Sequence, residues 1–213
     1  MKKLLCTIAC ISISLAVYAQ KPVMLNGYGA YVFDDKFDTY YSSTDYLYGK
    51  IKGGFMWGAG IEVKVREDYG VELLYLRIDT EAPVEYYNIG TYERTIDLGI
   101  NYIMLGGVRY FTIPEGKLEP YGGLMLGAAI FNNKNSQGSE TESATKFCWG
   151  ARLGTNIWFS EKVGLKLQAY LLSAVQGAGG GLYIGTGGGG AGVSTYSTLY
   201  QFGLGGGLVV RVR

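Results

Sequence analysis

The sequence predicts an all-β fold, an eight-stranded antiparallel transmembrane β-barrel with an up-and-down meander. Three observations predict it. After residue 20, apolar and polar residues alternate with the period of a β-strand in successive segments. The connections between these segments are alternately long and short, which is typical of barrels with large loops on one side of a membrane and tight turns on the other. Gly (34) and Tyr (19) are abundant and Pro (4) is sparse, which suits a tightly packed sheet with interfacial aromatic residues.

Residues 1–19 have the organisation of a cleaved secretory signal peptide. Two lysines precede an apolar stretch, residues 4–17, which is too short to cross a membrane as a helix. Small or modest side chains then lead to the expected cleavage site between Ala19 and Gln20. The exported barrel domain accordingly covers residues 20–213.

The cysteines give no disulfide framework. Cys6 and Cys10 lie within the leader, too early in its apolar stretch for a lipoprotein attachment site. Cys148 is then the single cysteine of the exported chain, so no intrachain disulfide forms. We expect Cys148 to be a packed side chain and not a reactive thiol.

The first four predicted strands are separated by two long polar connections and one tight turn. The polar stretch 35–52 follows the opening strand. The next two strands meet at Glu67-Asp68, a pair that favours a turn. A second polar stretch, 79–94, precedes the strand with the clearest alternation. These four strands cover residues 23–34, 53–66, 69–78 and 95–111.

The last four predicted strands repeat this arrangement. Residues 113–117 contain a proline and a glycine and therefore predict a tight turn. A polar connection covers 132–145, a short turn covers 160–162, and a glycine-rich connection covers 177–195. These strands cover residues 118–131, 146–159, 163–176 and 196–212.

Alternation divides each strand into an apolar face, which we expect to contact lipid, and a glycine-rich polar face, which suits the narrow interior of the barrel. In the fourth strand it assigns Ile100, Tyr102 and Met104 to lipid, with Ile103 and Leu105 as exceptions. Because backbone groups cannot remain unpaired in hydrocarbon, the last strand must pair with the first. The charged residues expected to point inward are Glu62, Lys64, Glu72, Asp97, Arg109, Glu119, Arg152, Lys166 and Arg211.

The inward charges have two interpretations. They either form a salt-bridged polar network that fills the interior, or they line an aqueous path. Since eight strands enclose room for side chains and little else, the filled interior is favoured.

Tyrosines and carboxylates are concentrated in the first two long connections. Tyrosine gives rigid, amphipathic contact area, so these residues are candidates for an extracellular recognition surface. The favoured interpretation is an aromatic girdle at the level of the lipid headgroups. The candidate residues are Tyr40, Tyr41, Tyr46, Tyr48, Tyr86, Tyr87 and Tyr92.

Several classes of function lack the residues that they need. The chain has no histidine, which excludes Ser-His catalysis and His-ligated zinc. The glycines of 185–190 are not followed by the Lys-Ser or Lys-Thr of a phosphate-binding loop. The carboxylate spacing of the long connections matches no Ca²⁺ loop, and a net charge of +1 gives no basis for nucleic-acid binding. We expect no enzymatic activity, catalytic residue, cofactor or metal site.

Three glycine-containing segments of the predicted strands form a recognisable set: EPYGGLMLG at 119–127, GARLGTNIWFSEKVGLKLQAY at 150–170 and GLGGGLVVRV at 203–212. Together they resemble the small outer-membrane β-barrel family, the OmpA-like and OmpX-like barrels of the porin superfamily. The chain departs from the family pattern at its end, where Val212-Arg213 replaces the usual aromatic residue. It also carries no second, peptidoglycan-binding domain after the barrel, so the resemblance implies no role in cell-wall anchoring.

The resemblance implies a location in the outer membrane of a Gram-negative cell, reached through the periplasm. The Ala19-Gln20 junction is similar to those of Bacteroidetes. The implied partners are outer-membrane lipid and lipopolysaccharide, the barrel-assembly machinery, and an extracellular ligand at the outer loops. The implied role is structural or surface-interacting. A small passive channel and a soluble lipocalin-like carrier remain as alternatives.

Overall fold

The computed structural model describes residues 22–40, 46–87, 91–111, 113, 116–133, 143–175, 181–185, 188–192 and 199–212. The predicted leader lies outside these residues. In chain order, the strands are β1 (Val23–Val32), β2 (Asp35–Tyr40), β3 (Tyr46–Ile51), β4 (Gly54–Arg66), β5 (Tyr69–Tyr87), β6 (Thr91–Tyr110), β7 (Leu118–Asn133), β8 (Ser143–Trp158), β9 (Val163–Val175), β10 (Gly181–Gly185), β11 (Gly188–Gly192) and β12 (Leu199–Arg211). Within the described ranges, no helix is long and apolar enough to span a membrane.

Eight of these strands form a closed antiparallel barrel, which confirms the predicted fold class. Each wall strand pairs with the next along the chain, in the order β1, β4, β5, β6, β7, β8, β9 and β12. The ring closes where β12 pairs with β1, from Met24 opposite Arg211 to Val32 opposite Gly203. The predicted pairing of the first and last strands is therefore confirmed.

The closing seam explains why the last strand is rich in glycine. Gly207 lies where an added Cβ atom would collide with the backbone carbonyl oxygen of Gly27 on β1. Gly205 makes the same close approach to Gly29 and Ala30. At these two positions only glycine lets the first and last strands approach to pairing distance without a shift of backbone.

The short connections gather at one end of the barrel, which we call the turn end, and the long ones at the other, the loop end. Glu67 and Asp68 form the predicted turn between β4 and β5. The predicted turn 160–162 joins β8 to β9, where the Ser160 hydroxyl accepts a hydrogen bond from the backbone N–H of Val163 at 3.0 Å.

The long connections contain more strand than the sequence predicted. The predicted loop 79–94 is largely wrong, because β5 and β6 pair continuously up to Tyr87 opposite Thr91. Within the predicted connection 35–52, β2 and β3 form a hairpin, and β3 pairs with β5 from Tyr46 opposite Tyr87 to Gly49 opposite Val84. A strand that extends beyond the wall of the barrel needs no alternation of apolar and polar residues, so its polar composition did not predict it. The strands β10 and β11 pair with each other within the predicted glycine-rich connection.

The outer wall of the barrel is apolar, as the alternation predicted for most strands. Leu124 and Leu153 are each 70% exposed, among the highest fractions in a belt that surrounds the barrel. The other large side chains of this belt include Leu25, Phe55, Trp57, Ile61, Leu73, Ile103, Leu105, Leu126, Phe147, Leu167, Phe202, Leu204 and Leu208.

The face predicted for β6 is wrong. Ile100, Tyr102 and Met104 are fully buried inside the barrel, whereas Ile103 and Leu105 are 47% and 58% exposed on the outer wall. The error arises because β6 is apolar on both faces, so that alternation of polarity gives no direction. The rest of the buried face of β6 comprises Leu98, Val108 and Tyr110.

This correction moves two predicted interior charges to the outside. Asp97 and Arg109 share the parity of Ile103 and Leu105, so both belong to the outer face of β6, and Arg109 is exposed. On β4, a register shift between Lys64 and Arg66 changes the alternation of the strand. Arg66 is therefore exposed on the outside, whereas Lys64 points inward.

The interior is layered along the barrel axis. The half nearer the loop end is filled by apolar side chains, among them Leu74, Leu76, Ile78, Ile100 and Met104, each at most 1% exposed. The half nearer the turn end holds the buried charges. Sequence analysis predicted polar residues and glycines for the whole interior, so it missed the apolar layer.

Candidate functional site

The feature of the interior that stands out chemically is a group of four charged side chains, which we call the buried charge cluster: Glu62, Glu72, Arg152 and Lys166. The side chains of all four are completely buried. Glu62 on β4 lies directly opposite Glu72 on β5. Such a like-charged pair is destabilising by itself. Arg152 on β8 and Lys166 on β9 reach it from across the barrel and make the cluster neutral.

Glu72 is bound on both of its carboxylate oxygens. Arg152 forms an ion pair with Oε2. The Tyr28 hydroxyl donates a hydrogen bond to Oε1 at 2.6 Å, and Asn26 Nδ2 donates to the same oxygen at 2.7 Å. Arg152 Nη1 also contacts the Tyr28 hydroxyl at 3.3 Å. The guanidinium and its carboxylate are therefore fixed by neutral side chains of β1.

Glu62 has a similar set of partners. The Tyr110 hydroxyl donates a hydrogen bond to Oε1, and Lys166 Nζ lies 3.4 Å from Oε2. Asn26 Nδ2 is also 3.4 Å from Oε2 and so lies between the two glutamates. The Lys166 ammonium further lies 4.9 Å from the centre of the Tyr121 ring, within the range of a cation–π contact.

A second polar group lies closer to the turn end. Lys64 Nζ lies 2.6 Å from Glu119 Oε1. Asn156 Nδ2 and Trp158 Nε1 each donate a hydrogen bond to Glu119 Oε2 at 3.0 Å. Arg211 stacks on the Trp158 ring at 3.6 Å and lies 4.0 Å from Glu119 Oε2. These contacts close the barrel below the buried charge cluster.

The structure brings together the predicted interior residues other than Asp97 and Arg109. Their neutral partners were not predicted as site residues: Asn26, Tyr28, Tyr110, Tyr121, Asn156, Trp158 and Gln168. Asn156 and Gln168 alternate in phase with the inward charges of their strands, so the sequence could have identified them. Tyr110 was missed because the face of β6 was misassigned. Asn26 and Tyr28 were missed because the first strand was not divided into an inner and an outer face.

The candidate recognition tyrosines lie at the loop end, with Tyr41 outside the described residues. The backbone register sets Tyr46 opposite both Tyr40 and Tyr87, and Tyr86 opposite Tyr92. Tyr48 lies on β3 opposite Glu85. Six of the seven are therefore on paired strands and not on open loops.

The charges of the buried charge cluster balance one another. Each charged group of the cluster is matched by an opposite charge, and tyrosine and asparagine side chains donate further hydrogen bonds to the two glutamates. In the part of the chain that the structure describes, no three His, Cys, Asp or Glu side chains are grouped to hold a metal ion.

Comparison with known proteins shows the fold. No protein-family model and no curated protein matches the chain. Among solved structures, Neisserial surface protein A is 15% identical with a TM-score of 0.58, over 89% of this chain and 96% of that one. The outer membrane protein OprG from Pseudomonas aeruginosa is 13% identical with a TM-score of 0.59, over 89% and 95%. The outer membrane protein AlkL, solved in lipid bilayers, is 12% identical with a TM-score of 0.50, over 91% and 92%.

At these identities the likeness is one of architecture. The chain has the fold of the small eight-stranded outer-membrane β-barrels, as the resemblance of its sequence segments implied.

Proposed function

We propose that the protein is a non-enzymatic integral outer-membrane barrel with a closed interior, which supports a structural or surface-interaction role at its loop end. The observation that carries this proposal is the inverted polarity of the barrel. Its buried interior contains four completely buried charges, whereas large apolar side chains up to 70% exposed surround its outside. A soluble carrier would have the opposite arrangement, since exposed apolar patches of this extent are rare in water.

The height of the apolar belt supports a membrane location. On the outer face of β5, the apolar stretch begins with Tyr69 near the turn end. Arg77 marks its limit near the loop end. The strand from residue 69 to residue 77 rises about 26 Å, or about 20 Å along the barrel axis at a tilt of about 40°. Outer-membrane barrels have an apolar band of about 25 Å flanked by aromatic residues. Trp57 and Tyr75 pack edge to face at 6.1 Å just below Arg77, as an upper girdle would.

The filled interior argues against a passive channel. Arg152, Lys166 and Tyr170 are fully buried across the middle of the barrel, and the apolar layer lies above them. An ion that entered from the loop end would have to cross this mainly apolar layer, in which the Tyr102 hydroxyl and the Gln201 side chain are hydrogen-bonded to each other.

In planar bilayers, the purified full-length barrel is therefore expected to give no conductance steps above the bare bilayer. The same preparation must first show the folded, heat-modifiable band on an unboiled gel, so that silence is not due to unfolded protein. Discrete steps from folded protein, abolished by boiling, would replace the closed barrel with a passive channel.

The orientation follows from the predicted leader. Export places the first residues of the barrel in the periplasm, and an even number of strands returns the last residues there. The turn end then faces the periplasm and the loop end faces the outside. The sheet of β2, β3, β5 and β6 would project beyond the lipopolysaccharide leaflet, where its tyrosines meet an extracellular ligand. Assembly would require the barrel-assembly machinery.

An epitope tag between Tyr87 and Thr91 tests this arrangement, because these residues end β5 and begin β6. We expect antibody to label intact cells that carry this tag. The matched control is the same tag at Glu161, in the turn between β8 and β9, which should be labelled only after the outer membrane is opened. Labelling of the Glu161 tag on intact cells, or recovery of the protein in the soluble fraction, would contradict the proposal.

A further inference from the structure

A row of three side chains crosses the outer wall at the turn end. Tyr69 on β5 is paired with Arg66 on β4 and with Arg109 on β6. Directly opposite residues of antiparallel strands project to the same face of the sheet. That face is the outside, because Tyr69 shares the parity of the exposed Leu73 and Arg109 shares that of the exposed Leu105. We call these three residues the arginine–tyrosine row.

Both arginines of this row lack an acidic partner. Among the described residues, no carboxylate lies within 4.0 Å of either guanidinium, although Glu67 and Asp68 occupy the adjoining turn. By contrast, Arg77, Arg152 and Arg211 each have a carboxylate oxygen within that distance. The row therefore presents two arginines without ion pairs, one on each side of Tyr69, on an exposed surface.

Glycines and apolar side chains surround the row on the outer wall. Beside Arg109, Gly107 on its own strand and Gly122 directly opposite on β7 carry no side chain of their own, and the Phe111 ring lies 5.9 Å from the guanidinium. The Tyr69 side chain leans over Gly107, where an added Cβ atom would collide with its hydroxyl. Towards the loop end, the exposed Leu105 and Leu124 continue the apolar belt. Positive charge and a phenol hydroxyl thus lie at the lower edge of an apolar wall.

We propose that the arginine–tyrosine row binds the phosphate of an anionic phospholipid headgroup, of the phosphatidylglycerol type, in the periplasmic leaflet. This inference rests on the proposed outer-membrane location. Guanidinium groups match phosphate oxygens with paired N–H donors, and the Tyr69 hydroxyl adds one donor. The acyl chains would lie on the wall formed by Leu73, Leu105 and Leu124. A net negative lipid is favoured because neither arginine forms an ion pair with a carboxylate of the described residues.

Native mass spectrometry of the folded full-length barrel in detergent tests this inference, with dioleoyl-phosphatidylglycerol and dioleoyl-phosphatidylcholine as probes. The test variant is Arg66→Gln/Arg109→Gln. Arg77→Gln is the matched control, because Arg77 is also on the outer wall but is paired with Asp79. Each basic residue near an anionic lipid surface contributes about fivefold in affinity. We therefore expect the double variant to lose roughly tenfold or more in affinity for phosphatidylglycerol.

The wild type and Arg77→Gln should both retain phosphatidylglycerol in preference to phosphatidylcholine, and inorganic phosphate should not displace the lipid. Equal retention by the double variant and the wild type, or no preference between the two lipids, would overturn the inference. Displacement by inorganic phosphate would also overturn it, since the row would then be a general anion site. A heat-modifiable band from each sample separates these outcomes from failure of the barrel itself, which would count against the proposed function.

Discussion

Replacing Arg152 with alanine is expected to lower the free energy of unfolding by about 3–5 kcal/mol, because it leaves a buried charge without its partner. Glu72 would keep hydrogen bonds from Tyr28 and Asn26 but would lose its ion pair. Lys166 would then be the remaining cation beside two directly opposed glutamates. Bulk water does not reach the excess negative charge to solvate it, because these side chains are completely buried.

Urea unfolding of the barrel in vesicles of neutral phosphatidylcholine, in which Arg109 meets no anionic lipid, measures this change as loss of the heat-modifiable band. The matched control is Arg109→Ala, which removes an exposed arginine from the outer wall and should change stability by no more than about 0.5 kcal/mol. The double variant Arg152→Met/Glu72→Leu should recover much of the loss, because apolar replacement of a whole buried pair is often nearly neutral. If Arg152→Ala and Arg109→Ala unfold alike, the charges are not structurally coupled as described.

Replacing Leu126 with arginine is expected to cost about 2–4 kcal/mol, as for a cation on the lipid face at the middle of the bilayer. Leu126 is 58% exposed and lies near the middle of β7, paired with Leu105 on one side and Trp149 on the other. A charge there has no polar neighbour and is too far from either end of the belt to reach water easily.

The same urea titration in vesicles measures this loss. Phe159→Arg is the control: Phe159 is 67% exposed but lies at the turn end, where an arginine should cost about 0–1 kcal/mol. Equal stability of the wild type and Leu126→Arg would mean that the wall faces water. This result would contradict the assignment of the wall to lipid and would favour the soluble lipocalin-like alternative.

Much of the fold was predictable because a closed barrel with an apolar outer wall leaves the chain few choices. Alternation gives a strand its two faces, and hydrocarbon forbids an open edge. The prediction failed where these constraints weaken. On β6, an apolar residue such as Met104 is equally suited to lipid and to the apolar interior layer. Alternation therefore does not show which face of the strand points inward. In residues 79–94, a strand outside the membrane needs no apolar face at all.

The charged members of the interior were accessible from sequence, but their pairing was not. Glu62 and Lys64 are inward by parity alone. That Arg152 meets Glu72, and Lys64 meets Glu119, depends on the stagger of the strands around the barrel. The stagger is a property of the closed ring, so the sequence of a single strand does not predict it. The supporting hydroxyl of Tyr28 was missed because the alternation of the first strand was not assigned to an inner and an outer face.

The buried charge cluster also bears on how the barrel forms. Its contacts join residues far apart in the chain: Lys166 is 104 positions from Glu62, and Arg152 is 124 positions from Tyr28. A growing sheet that lacks its final strands therefore holds glutamates and cations apart, with both sides still in contact with water. Contacts of such long range form late and slow the folding of β-proteins. Closure of the ring and neutralisation of the interior charges are then one cooperative event. A partly assembled barrel is not stabilised by these ion pairs.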